Sequence, residues 1–143
     1  MNPYLDASVL VSTLVQEAGT PPVEAFLIAT DSELLISDFA AAEVSSGLSR
    51  LLRMGRLTSG DATARLADFD AWRAAVSSPV DLRPGDGRLA DAYVRRFDLG
   101  LRAPDALHLA IVRRLDATLV TLDRRMARAA EALGIAVVVP HAP

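Results

Sequence analysis

Residues 101–123 constrain the fold more than any other stretch. They read as an α-helix delivered directly into a buried β-strand. Pro104 sits where a first helical turn accepts it, because its missing N–H needs no partner there. Leu107, Ala110, Ile111 and Leu115 recur at helical spacing and define one core face. Ala117-Thr-Leu-Val-Thr121 is then a short apolar run rich in β-branched residues, the pattern of a parallel strand covered on both sides. Two acids bracket the unit: Asp105 at the helix start and Asp123 just past the strand. In open α/β sheets ligands bind beyond the carboxyl ends of the strands, so an acid there is placed for function.

The same alternation runs through the rest of the chain. Tyr4-Leu5 forms a strand ending at Asp6, and a helix follows over 8–17. Gly19-Thr-Pro-Pro22 breaks it, and 23–29 is a second helix. A second strand covers 34–36. Ser37 or Asp38 caps a third helix, since each offers an oxygen to the free N–H groups. That helix carries Val44, Leu48, Leu51 and Leu52 on its core face, with Glu43 beside it among small residues. A fourth helix opens at Ser59 and spaces Leu66, Phe69, Trp72 and Val76 for burial. A third strand over 80–82, a turn over 83–87 and a fifth helix over 89–97 follow. After the 101–123 unit, a last helix over 124–133 stops at Gly134, and 135–139 is a final strand. Strands alternating with helices imply a parallel sheet covered on both faces. The length, 143 residues, suits one domain spanning 1–143, with no repeat or linker.

Composition narrows the function. The chain is 51% hydrophobic and 23% charged, so it can build a full core. It has no cysteine, which excludes disulfides and thiolate metal sites and suits the cytoplasm. No apolar run is long enough to span a membrane, and no basic segment precedes the first apolar stretch as a secretory signal requires. All 15 basic residues are arginine; without lysine, a P-loop nucleotide site is excluded. A net charge of −3 gives no general pull toward nucleic acid.

Asp6 and Asp123 follow strands, and Glu43 and Asp105 lie early in helices. In a parallel sheet all strand C-termini face one edge, so the four acids can converge there. Carboxylates without a His or Cys partner suit Mg²⁺ or Mn²⁺, and such an ion can generate hydroxide at neutral pH and stabilise a phosphoryl transition state. Each acid also has a plainer use: Asp6 and Asp123 as helix caps, Glu43 as a solvated helix residue, Asp105 as a first-turn acid favoured by the helix dipole. Ser8 and Thr121 can hold a metal-bound water, orient an acid or bond locally to the backbone. Asp38 reads as an N-cap, Asp116 as a turn residue and His108 as structural.

Tyr-Leu-Asp6-Ala-Ser8, Ala-Ala-Glu43-Val, Leu-Arg-Ala-Pro-Asp105-Ala-Leu-His-Leu-Ala and Leu-Val-Thr121-Leu-Asp123 resemble the signatures of PIN-domain ribonucleases, and most of all the VapC toxins of toxin–antitoxin modules. The resemblance covers essentially the whole chain. It implies a PIN-like three-layer α/β/α sandwich around a mostly parallel sheet of about five strands. It also implies a Mg²⁺- or Mn²⁺-dependent RNA endonuclease with Asp6, Glu43, Asp105 and Asp123 as its acidic quartet. A homodimer and a small antitoxin that occupies the active site come with it.

Two other readings compete. One is an inactive PIN-like module that binds RNA or protein; four carboxylates beside an anionic ligand argue against it. The other is an aspartyl phosphatase, but Asp6-x-Ser8 lacks the second Asp and the catalytic lysine is absent. The arginine clusters at 50–56, 95–102 and 124–128 read as solvated faces. Arg102, three residues before Asp105, is the one placed to meet a phosphate or an antitoxin carboxylate. The Val44–Leu52 stripe and the Phe69–Trp72 pair exceed the needs of one core, which points to helices three and four as a dimer face and an antitoxin groove.

Overall fold

Side chains alternate across a strand, and here that alternation sorts two cores. In the computed structural model, which describes residues 1–142, β1 (Pro3–Leu5) turns Tyr4 to one face of the sheet and Leu5 to the other. The remaining strands are β2 (Leu34–Ser37), β3 (Ser77–Val80), β4 (Thr118–Val120) and β5 (Val137–Val138). All pair in parallel, in the order β3-β2-β1-β4-β5. The helices are α1 (Ala7–Leu14), α2 (Thr20–Ala29), α3 (Asp38–Arg53), α4 (Ser59–Val76), α5 (Pro84–Val94), α6 (Ala103–Leu115) and α7 (Arg124–Ala132). Residues of α1 to α4 build one core with Leu5, Ile36 and Val120; residues of α5 to α7 build the other with Tyr4 and Leu119. This is the expected three-layer sandwich, with every strand pairing parallel.

The topology places the site. From β1 the chain moves outward to β2 and β3 with helices on one face, then returns under the other face to β4 on the opposite side of β1. The strand order reverses between β1 and β4, and a crevice opens outside the carboxyl ends at such a switch point. Leu5 is in register with Val120, and the Asp6 N–H donates to the Val120 carbonyl at 3.2 Å. Asp6 and Thr121 therefore leave the sheet side by side.

Several local expectations are corrected. The third strand is 77–80 rather than 80–82, because α4 runs directly into it and Val80 takes the last register position opposite Ser37. The 83–87 turn is instead the first turn of α5. Pro84 has the φ a first turn needs, and the Asp86 carboxylate accepts the Arg83 N–H at 2.9 Å, which offsets two glycines. Thr20 and the two prolines start α2 rather than separating helices. Asp38 does not cap α3: Ser37 does, accepting the Ala40 N–H, and Asp38 pairs with Arg73 at 2.9 Å. Val44 and Leu48 are consumed by the chain's own core and supply no interface, whereas Leu52 is 38% exposed rather than buried. Among the described residues no helix is long and apolar enough to cross a membrane.

Candidate functional site

Asp6 is 3% exposed and caps α1, its Oδ1 accepting the Val9 N–H at 3.1 Å. The cap does not use the whole carboxylate. Ser8 Oγ donates to Oδ1 at 2.6 Å, and Thr121 Oγ1 donates to Oδ2 at 2.5 Å. Each hydroxyl also accepts an amide from the segment after β4: Leu122 N–H to Ser8 Oγ and Asp123 N–H to Thr121 Oγ1, both at 3.0 Å. Two hydroxyls thus stitch the β4–α7 connection onto Asp6. Ser8 and Thr121 both hold an acid and bond the backbone, two of the uses their sequence positions allowed. Burial pushes the Asp6 carboxyl above the usual carboxylate range, against the opposing pull of these hydroxyl donors.

Asp123 caps α7: its Oδ1 accepts the Arg125 and Met126 N–H groups, and among the described residues no donor reaches its Oδ2. Asp105 lies in the first turn of α6 with its side chain 15% exposed. Burial and then the negative charge of Asp123 push its carboxyl up; Arg102 and His108 oppose this, and Glu43 adds to it. The Asp105 carboxyl thus feels two other acids of the quartet. The Arg102 guanidinium stands 3.8 Å away and is 78% exposed, so it is a weak partner for Asp105 and open to solvent.

Glu43 projects from α3 and hydrogen-bonds through Oε1 to His108 Nε2. His108 Nδ1 lies 2.7 Å from the Tyr4 hydroxyl, which lies 2.7 Å from Ser37 Oγ. Burial pushes the Tyr4 phenol well above its ordinary value, so it stays protonated. His108 is therefore joined to the acids rather than merely packed. Its place three residues after Asp105, one turn along the same helix face, was the only sequence signal for this.

Glu43, Ser8 and Asp123 border a cleft of about 530 Å³ whose rim carries Arg50 and Arg53. Those two arginines sit beside the acids, a relation their cluster alone did not reveal. Among the described residues no three His, Asp or Glu side chains are gathered closely enough to hold an ion as they stand. The donor set nevertheless fits a hard divalent cation: oxygen donors throughout, oxygens on Asp123 and Glu43 that no donor among the described residues reaches, and an Asp105 carboxyl raised by burial and then by the Asp123 charge, the second of which a cation would offset.

Comparison with known proteins gives the family and the fold. The sequence pattern of the PIN domain matches residues 4–132. Ribonuclease VapC46 of Mycobacterium tuberculosis is 33% identical over 140 residues, covering 96% of both chains. Among solved structures, VapBC2 of Rickettsia felis, bound to a DNA fragment from its promoter, superposes with a TM-score of 0.71 at 14% identity, covering 97% of this chain and 98% of that one. VapC20 of Mycobacterium tuberculosis, a sarcin–ricin loop cleaving toxin, superposes with a TM-score of 0.72 at 17% identity, covering 90% and 95%.

Proposed function

This chain belongs to the PIN-domain family, in its VapC ribonuclease branch, and from that premise we propose that it is a divalent-metal-dependent endoribonuclease, the toxin of a toxin–antitoxin pair. The observation that best supports the reading is geometric: Ser8 and Thr121 hold both oxygens of Asp6 at the strand-order reversal, and the adjoining cleft is lined by Ser8, Glu43 and Asp123; burial and then the Asp123 charge push the Asp105 carboxyl up beside it. Acids that repel one another at the switch-point edge cost stability, a cost that an active site repays.

Asp6, Glu43, Asp105 and Asp123 would hold Mg²⁺ or Mn²⁺. Held there, such a cation would supply a more acidic bound water and positive charge to offset what builds on the phosphoryl oxygens. The chain's own residues do the rest. Ser8 and Thr121 hold both oxygens of Asp6, so its carboxylate keeps one orientation. The α7 cap fixes Asp123 through Oδ1. Arg50 and Arg53 on the cleft rim, and exposed Arg102, offer guanidinium forks to the RNA phosphates.

The same reading takes the whole chain, 1–143, as one PIN domain that works in the cytoplasm as a homodimer. It gives the antitoxin a seat in the apolar groove of about 330 Å³ between α1, α2 and α4, lined by Leu14, Leu27, Ile28, Phe69 and Trp72. The Phe69–Trp72 pair of helix four lies in it, but helix three, expected to share that role, lines none of it. The VapBC2 neighbour supports an antitoxin partner, being a toxin–antitoxin complex.

The test is cleavage of unpaired RNA by the purified protein with Mg²⁺, with Mn²⁺ and with EDTA, beside the Asp6→Asn variant. Cutting with either cation and none with EDTA or Asp6→Asn is expected. Undiminished cutting in EDTA sinks the metal mechanism. No cutting under any condition favours the inactive binding module.

A further inference from the structure

Ser37 caps α3, its Oγ accepting the Ala40 N–H at 3.0 Å. That bond uses an oxygen lone pair and leaves the hydroxyl hydrogen to be placed. Ser37 is fully buried, and its Oγ has one other partner among the described residues, the Tyr4 hydroxyl. The hydrogen must go to Tyr4, because a buried donor without an acceptor is costly. The Tyr4 hydroxyl, also fully buried, then accepts from Ser37 and sends its own hydrogen to its remaining neighbour, His108 Nδ1. A ring nitrogen that accepts carries no proton, so the imidazole proton sits on Nε2, facing Glu43 Oε1. Among the described residues no buried side-chain nitrogen or oxygen is left without a partner.

We propose that Ser37, Tyr4 and His108 form a one-way hydrogen-bond relay that holds His108 as its Nε2–H tautomer and makes it the positioning residue for Glu43. The relay begins and ends on α3, since residues 37, 40 and 43 follow one face of that helix. It runs through β1 and α6, so the backbone cap of one helix sets the orientation of an acid two turns along it. The opposite tautomer would aim a bare lone pair at the Glu43 carboxylate and repel it. Phe39 supports the imidazole, its ring centre 5.0 Å away. One Glu43 oxygen is held and the other left open, as the outer donor of a metal site does. The metal consequence rests on the reading of Glu43 as a site acid; the tautomer does not.

Long-range ¹H–¹⁵N NMR of the imidazoles in the metal-free protein at neutral pH tests the relay. The chain has two histidines, so His141→Gln leaves His108 alone in the spectrum. A protonated Nε2 and a bare Nδ1 are expected; an Nδ1–H form or an imidazolium overturns the relay. Tyr4→Phe should abolish the single tautomer, and Tyr93→Phe, the loss of the other tyrosine hydroxyl, should not. An unchanged pattern in Tyr4→Phe overturns Tyr4 as its cause. For positioning, Mn²⁺ calorimetry should find His108→Leu about 10-fold weaker than wild type. His108→Gln, which restores an N–H toward Glu43, should recover most of that affinity. Equal affinities for wild type and His108→Leu overturn the positioning role. Absence of Mn²⁺ binding in the wild type overturns the metal reading instead, with the tautomer still deciding the relay. Tyr4→Phe carries the test by itself if His108→Leu fails to fold.

Discussion

The Thr121 hydroxyl donates to Oδ2 of Asp6 at 2.5 Å, joining the ends of β4 and β1 where the strand order reverses. Thr121 accepts the Asp123 N–H with the same oxygen, so one side chain fixes two acids of the quartet. Thr121→Val keeps the shape and removes both bonds. It should cost about 1–3 kcal/mol, the penalty of leaving buried polar groups unpaired, and should drive the Asp6 carboxyl further up. Ser8→Ala should cost less, because the Val9 N–H still serves Oδ1. Urea unfolding of the three proteins checks this; a Thr121→Val midpoint equal to wild type refutes it.

Asp105→Asn removes one charge from a set that repels itself. Without metal this variant should be as stable as wild type or more so, and it should lose RNA cleavage. Wild type should gain about 2.7 kcal/mol when Mn²⁺ reaches roughly 100 times its dissociation constant, and the variant much less. Thermal melts in EDTA and in Mn²⁺ read both effects. A variant that melts several degrees lower in EDTA yet keeps the full Mn²⁺ gain would make Asp105 a structural first-turn acid.

The pH dependence follows from opposite shifts. Asp6 and Asp105 have folded values above the unfolded one, so the folded state binds protons more readily and loses stability as pH rises through that window. Asp86 is the reverse. Burial alone would raise it, but the Arg114 guanidinium and the Arg83 N–H outweigh burial and hold it below the usual range. Its contribution is present above the unfolded value and fades as pH falls through the folded one. The metal-free protein should therefore gain stability as pH falls toward the unfolded carboxylate value of about 4, and lose it below. Asp6→Asn should remove much of the gain. Melting temperatures from neutral pH through that value decide it, and a wild-type curve that shows no gain on the way down contradicts the assignment.

Arg114 grips Asp86 through both carboxylate oxygens, at 2.7 and 2.9 Å, and Asp86 is almost wholly buried. Arg114→Met leaves that charge unpaired and should destabilise the fold by about 3 kcal/mol. Adding Asp86→Asn should recover part of the loss, because the buried charge is then gone. Denaturant midpoints of the single and double variants test this, and additive losses would rule it out.

Ile28 is 85% exposed beside the apolar groove. Ile28→Asp should weaken antitoxin binding about 10-fold or more if it is a central anchor, while RNA cleavage stays unchanged. Titration of the antitoxin against both proteins measures it. Unaltered affinity removes α1, α2 and α4 as the seat.

The layers and the parallel sheet were legible in the sequence because each rests on local rules. Apolar periodicity identified the α6–β4 unit, and the acids stood at strand ends and helix starts where the motifs put them. Errors fell where two local rules competed. Two glycines after Pro84 read as a turn until the Asp86 carboxylate, gripped by Arg114 from α6, made the first turn of α5. Asp38 and Ser37 were equal capping candidates until Arg73 took Asp38. What each acid touches depended on chain segments far apart: Thr121 on Asp6 spans 115 positions, and Tyr4 on His108 spans 104. No periodicity encodes such pairs. They exist because the order β2-β1-β4 brings three strand ends together at one edge, where each buried side-chain polar atom among the described residues finds a partner.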